Sequence, residues 1–147
     1  MGYSIKGFFA RHAVNMRLAD MKEKELRTAW VKMLPDSVAR WYNMRLGPVH
    51  DISNAAMYSV VLKYADLIYV ENETIWIVEF KVRRQSGALG QLIIYREEIK
   101  KTVEFSPWLD LPIRLRLVVP VEDIAVKEAC NKLGIVYEVF PKIVYVV

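Results

Sequence analysis

The short polar segment Glu71-Asn72-Glu73 separates two runs that can only be strands. Met57 to Val70 is rich in Val, Tyr and Leu, and Thr74 to Val82 reads Thr-Ile-Trp-Ile-Val-Glu-Phe-Lys-Val. β-Branched and aromatic residues on both sides of a three-residue polar turn predict a hairpin. With Asn72-Glu73 as a two-residue loop, Glu71 faces Thr74, and the register runs on through Val70 opposite Ile75 and Ile68 opposite Ile77 to Asp66 opposite Glu79 and Tyr64 opposite Lys81. Side chains alternate along a strand, so these eight share one face. Leu67, Tyr69, Trp76, Val78 and Phe80 take the other. The hairpin is therefore apolar on both faces near its turn, and one face becomes charged at the far end.

That change has an energetic consequence. Directly opposed side chains have Cβ atoms about 4.5–5.5 Å apart. Two carboxylates at that separation repel by roughly 3 kcal/mol at an effective dielectric near 20, more than an ordinary cross-strand pair contributes. Keeping Asp66 against Glu79 in a half-buried strand requires an offset: a shared proton, the Lys81 ammonium or a bound cation. A divalent ion would also supply chemistry, since Mg²⁺ prefers oxygen ligands, keeps several waters and can neutralise a phosphate. Lys81 beside it would orient a water or stabilise developing charge.

The rest of the chain reads as α/β. Helical spacing of Leu18, Met21, Leu26, Ala29, Trp30, Met33 and Leu34 predicts a helix over Arg17–Leu34, with Asp20 near its start and Pro35 ending it. Asp36-Ser37 reads as the cap of a short second helix through Arg40 to Leu46, closed by Gly47-Pro48. After the hairpin, Ser86 reads as the N-cap of a helix to about Thr102, with Leu89, Leu92, Ile93, Ile99 and Val103 as its inner stripe. A proline-bracketed loop over 106–112, a strand Ile113–Val119, a helix Glu122–Leu133 closed by Gly134, a strand Ile135–Phe140 and an extended piece Lys142–Val147 complete the pattern. Alternation of strands and helices around a central mixed sheet follows. A length of 147 residues favours one domain, 1–147.

Charge is uneven along the chain. The net +4 divides into basic blocks over 1–46 and 81–101, of +5 and +4, around an acidic block over 47–80, of −4, with −1 over 102–147. Carboxylates set between basic segments suit a site that acts on phosphates. Arg83 and Arg84, just past the hairpin, are candidates for phosphate contact. The single cysteine, Cys130, excludes an intrachain disulfide, a Cys-based zinc site and an all-Cys iron–sulfur cluster. No apolar run approaches the roughly 18 residues of a membrane span. The patch Gly7-Phe8-Phe9-Ala10 is short for a signal-peptide core, and Lys6 stands where a myristoylation site after Gly2 needs Ser or Thr. A soluble intracellular protein is expected.

Asp66, then Glu79-Phe80-Lys81 closing a hydrophobic strand, then a helix carrying Gln91-Leu-Ile-Ile-Tyr95, resembles the PD-(D/E)XK nuclease superfamily, in its RecB-like branch with a Gln-x-x-x-Tyr motif. The resemblance covers roughly residues 17–119 and implies a restriction-endonuclease-like core, αβββαβ, with the mixed sheet flanked by helices. It implies a Mg²⁺- or Mn²⁺-dependent deoxyribonuclease. Asp66, Glu79 and the backbone carbonyl of Phe80 would be metal ligands, and Lys81 the catalytic base or electrostatic helper. Gln91 and Tyr95, one helical turn apart, would approach the active site and the DNA backbone. Ala65 stands where the family name has proline. Relatives add a first-helix glutamate, for which Glu25 or Glu23 is the candidate, or a histidine upstream of the aspartate; His12 and His50 do not align with that position. With Cys130 alone, the chain cannot hold the cluster that some RecB-like nucleases carry.

The alternative is a nuclease-like domain that has lost cleavage and binds DNA or protein, against which the joint presence of Asp66, Glu79 and Lys81 argues. No membrane partner is expected. Leu109, Leu111 and the apolar tail Ile143–Val147 suggest a homodimer.

Overall fold

The computed structural model describes residues 22–48 and 63–141. In chain order these form α1 (Glu23–Val31), β1 (Ala39–Leu46), β2 (Lys63–Glu71), β3 (Thr74–Phe80), α2 (Gly87–Ile99), a 3-10 helix (Val103–Trp108), β4 (Ile113–Val119), α3 (Ile124–Leu133) and β5 (Ile135–Val139). The strands make one mixed sheet in the order β1-β2-β3-β4-β5. Pairing is antiparallel from β1 to β3 and parallel from β3 to β5. Two successive parallel crossovers in the same direction put α2 and α3 on one face, and α1 covers the other. This is a restriction-endonuclease-like α/β fold.

The hairpin has the register its turn demands. Glu71 pairs with Thr74, Val70 with Ile75, Ile68 with Ile77 and Leu67 with Val78. Asn72 and Glu73 have φ of 52° and 57°, the left-handed conformation that a two-residue type I′ loop needs at both positions. The two faces separate as alternation requires. Ile68, Ile75 and Ile77 pack with Leu92, Tyr95 and Ile99 of α2 and with Val126 and Cys130 of α3. Leu67, Tyr69, Val78 and Phe80 pack with Leu26 and Trp30 of α1. Trp30 lies 5.9 Å from the Tyr69 ring and 5.7 Å from Phe80. Its Nε1 donates to Glu138 Oε2 (2.8 Å), and Glu138 Oε1 accepts from Arg116 Nη1 (2.5 Å), so α1 is tied to β4 and β5 through one carboxylate.

The segment through Arg40 to Leu46 is a strand, not the helix that its spacing suggests. Trp41, Met44 and Leu46 all pack toward the α2 face. The three-residue interval between Trp41 and Met44 imitates a helical period, but it arises from a break in strand alternation at Asn43, whose φ is 47°. α2 also ends earlier than its apolar pattern suggests. Val103 is 75% exposed, because the 3-10 helix that begins there turns Phe105 inward instead. The proline loop is thus partly helical, with Pro107 inside the 3-10 turn. Trp108 packs edge-on against Trp41 at 5.1 Å, and Leu109 and Leu111 pack half-buried on the same core. Ser86 precedes α2 in helical conformation and makes no side-chain cap. Asp123 caps α3 by accepting from Val126 N (3.3 Å), and Gly134 closes it at φ 71°. Asp20, His12, His50 and the tail 142–147 lie outside the described residues.

The left-handed Glu73 is the strained member of the turn, since an L side chain there costs about 1–2 kcal/mol that glycine avoids. Glu73→Gly should therefore stabilise the fold by about 0.5–1 kcal/mol after the entropy cost of glycine, read as a raised urea midpoint with unchanged slope.

Candidate active site

The hairpin ladder stops where the acids begin. Regular pairing between β2 and β3 ends at Leu67 and Val78, one position before Asp66 and Glu79. From there, side chains take over the hydrogen bonding. Asp66 N donates to Glu79 Oε1 (3.1 Å), and Phe80 N donates to Asp66 Oδ2 (3.0 Å). Each carboxylate thus accepts from the backbone of the opposite strand and sits between the two strands. Each keeps a second oxygen for a proton or a cation. The β3–β4 ladder continues meanwhile: Phe80 pairs with Val118, and Lys81 N donates to Val118 O (3.1 Å). The end of β3 is held by backbone bonds on the β4 side, while on the β2 side the two carboxylates take over from the ladder.

Glu79 is 3% exposed. Burial, and then the Asp66 charge, push its carboxyl up to about 8; the Lys81 ammonium and the bond from the Asp66 amide pull the other way without cancelling them. The nearness of the Asp66 side chain thus favours the protonated form of Glu79, and a proton there offsets the repulsion between the two acids. Tyr95, on the facing side of α2, is buried at 5% exposure. Burial raises its phenol well above the ordinary value, and the Glu79 and Asp66 charges raise it further. Tyr95 is therefore within electrostatic reach of both acids and stays protonated. Gln91, one turn earlier, is exposed at the helix surface.

Lys81 is half-buried immediately past β3, and Arg83 and Arg84 are exposed in the loop that follows. That loop is anchored by Gln85, a residue with no recognisable signal in a polar stretch. Its Nε2 donates to Val121 O (2.8 Å), and its Oε1 accepts from Tyr137 Oη (2.7 Å), which in turn accepts from Asp123 N (2.9 Å). The loop after Lys81 is thereby bound to the β4–α3 connection and to β5.

Glu25 is not brought to this centre. It is exposed in the first turn of α1, where its Oε2 accepts from Lys22 N (3.4 Å), an arrangement favoured at a helix N-terminus. Glu23 is likewise exposed there. Among the described residues, no group of three His, Cys, Asp or Glu side chains gathers in metal-binding range. The donor set at the centre is the two carboxylates, one of them bonded to Phe80 N. Hard oxygen ligands of this kind, with a buried charge still to be neutralised, fit a Mg²⁺- or Mn²⁺-like ion that keeps its own waters. A cleft of about 450 Å³ lies elsewhere, between α1 and β1, lined by Arg27, Lys32, Arg40 and Tyr42 among others, and neither acid lines it.

No family model and no curated protein sequence matches the chain. Among solved structures, it is similar to a repair endonuclease from Pyrococcus abyssi, at a TM-score of 0.51 and 17% identity. The likeness covers 82% of this chain and 47% of that one, so the chain spans about half the length of its neighbour. At that identity, what the two share is the fold. No helix among the described residues is long and apolar enough to cross a membrane.

Proposed function

We propose that this chain is a metal-dependent deoxyribonuclease of the PD-(D/E)XK type, in the RecB-like branch. The observation that carries the reading is the pair Asp66 and Glu79, placed where the β2–β3 ladder ends, with Lys81 two residues on. Resemblance in fold to a repair endonuclease supports it. Asp66, Glu79 and the Phe80 carbonyl would hold Mg²⁺ or Mn²⁺, which when bound neutralises the scissile phosphate and acidifies a water. Lys81 orients that water or stabilises the charge of the transition state. Tyr95 offers its hydroxyl as a hydrogen-bond donor at the edge of the centre, Gln91 contacts the DNA strand from the surface turn of α2, and Arg83 and Arg84 bind phosphates.

Cleavage tests the whole reading. Single-stranded, duplex and branched DNA should be cut with Mg²⁺ or Mn²⁺ and spared with a chelator. Glu79→Ala should lose metal binding and cleavage together. Lys81→Met keeps the length and removes the charge, so folding and DNA binding should persist while turnover falls roughly 10²-fold or more. Tyr95→Phe should do less. Absence of cleavage on every DNA form with both metals, or full activity in Lys81→Met, refutes the nuclease. DNA binding without cleavage would make the binding module the better account.

Affinity reports the phosphate path. Counterion release makes log affinity fall by about 0.9 per phosphate contact for each decade of salt. Arg83→Ala with Arg84→Ala should weaken DNA binding and flatten that slope by about one to two contacts' worth, measured by titration across salt. An unchanged slope removes both arginines from the path.

The acid pair also makes stability depend on pH. Glu79 binds its proton more tightly folded than unfolded, where its value is near 4.5. The stability this contributes is present below the unfolded value and is lost as pH rises toward about 8. Urea midpoints without metal should therefore fall between pH 5 and 8. Glu79→Gln should remove most of that fall, and millimolar Mg²⁺ should counter it in the parent protein.

A further inference from the structure

We infer that the left-handed backbone at Asn43, on the edge strand, is the positioning device that takes Asp66 out of the sheet ladder and aims it at β3. The inference deepens the nuclease reading and rests on it for its catalytic consequence, but its structural claim stands on four observations. First, β1 and β2 pair at every position from Ala39↔Val70 to Leu46↔Lys63 except one: Asn43 faces Asp66 across the gap between Tyr42↔Leu67 and Met44↔Ala65. Second, both strands lose alternation at that point. Trp41 and Met44, three apart, pack on the same face, and so do Ile68 and Ala65, although Leu67 and Tyr69 pack on the other. Third, Asn43 is the residue of the β1 strand with positive φ, at 47°. Fourth, the break in the β1–β2 ladder lies directly beside the end of the β2–β3 ladder, where Asp66 and Glu79 exchange bonds with opposite backbones.

A paired loss of alternation without a change of register needs a rotation of both strands at the same level. Asparagine tolerates the left-handed region better than most residues, and a β-branched residue there is a true outlier. The conformation is held from outside the sheet as well, since Arg27 Nη1 of α1 donates to Asn43 Oδ1 at 3.1 Å. The rotation turns Asp66 away from β1 and toward Phe80 N. Asn43 itself touches neither acid by any bond, so its role is to position. The sequence signal is an Asn directly before Met44, within the three-residue interval from Trp41, in a strand.

The test compares Asn43→Gly, which keeps access to positive φ, with Asn43→Val, which opposes it, and with Asn43→Ala between them. Amide hydrogen exchange of full-length protein, followed by ¹⁵N NMR, gives a readout independent of metal and cleavage. In the parent and in Asn43→Gly, the Asp66 and Phe80 amides should be protected. In Asn43→Val their protection should fall by about tenfold or more, with Ala intermediate, while the Leu67–Glu71 ladder stays protected. If Asn43→Val proves unfolded, the contrast between Ala and Gly carries the test. Mn²⁺ affinity by calorimetry, and cleavage, should follow the same order, Gly nearest the parent and Val weakest. Because Asn43→Gly also deletes the amide that Arg27 holds, its parent-like behaviour assigns the effect to the backbone. Unchanged Asp66 and Phe80 protection in both Val and Ala variants overturns the inference. Should the parent protein neither bind Mn²⁺ nor cut DNA while those protections still fall in the expected order, the nuclease reading fails and the positioning role stands.

Discussion

Two carboxylate–amide bonds replace two rungs of a β-ladder, and the arrangement of the centre depends on them. Charge-assisted bonds of this kind contribute about 1.5–3 kcal/mol each, so a pair matches or exceeds the roughly 3 kcal/mol by which Asp66 and Glu79 repel. The geometry can therefore persist with both acids in place. What the bonds do not supply is a counter-charge for Glu79 in its buried position, and its raised proton affinity is the measure of that deficit. A proton relieves it up to about pH 8, and above that the proposed divalent cation would. On the proposed function, the same carboxylates that act as structural acceptors would be ligands held in place before any ion arrives.

Holding such a pair open requires rigidity on the far side. β3 keeps its parallel pairing with β4 through Phe80, and the Lys81 amide adds one more bond to Val118. β5 follows β4 out to Val139, and Phe140 N donates to Val119 O (2.8 Å). α1 is fixed to this parallel half by the Trp30–Glu138–Arg116 contact, with Arg116 also 4.4 Å over the Trp76 ring. The break in pairing is thus confined to the β2 side, and the Gln85–Tyr137 bond fixes the loop that leaves Lys81. Positions on opposite sides of the sheet act on one short stretch of β3.

Much of this was legible in the sequence because hairpin registers are discrete. A polar two-residue loop between runs of β-formers admits one pairing, and that pairing puts Asp66 opposite Glu79 whatever the rest of the chain does. The α3 boundary at Gly134 and the β4 span were legible for similar local reasons. The Arg40–Leu46 segment was not, because a strand with broken alternation carries the same three-residue interval as a helix, and period is the main signal that separates them. Nor was the inward turn of Phe105 in place of Val103, which depends on where a 3-10 turn begins. Alternation also placed the two acids on one face without revealing that they would bond to backbone amides, since period 2 describes a regular ladder and the ladder ends at Leu67. Glu25 fell to a local competitor: a carboxylate in the first turn of a helix finds backbone amides within reach.

The burial of Tyr95 narrows the division of labour at the centre. A phenol whose proton is held tightly by burial and by two neighbouring acids is a donor and not a base. It can hydrogen-bond to an anionic oxygen, whether of a carboxylate or of a phosphate, and it brings no positive charge. Lys81 is the group at the centre that does, and its attraction for Glu79 is already part of the balance there. Neutralising either acid weakens the field that keeps Tyr95 protonated, and neutralising Glu79 removes its attraction for Lys81, so these charges are linked. A substitution at Asp66 or Lys81 therefore alters the proton affinity of Glu79, and one at either acid alters that of Tyr95, so effects at this centre should combine non-additively.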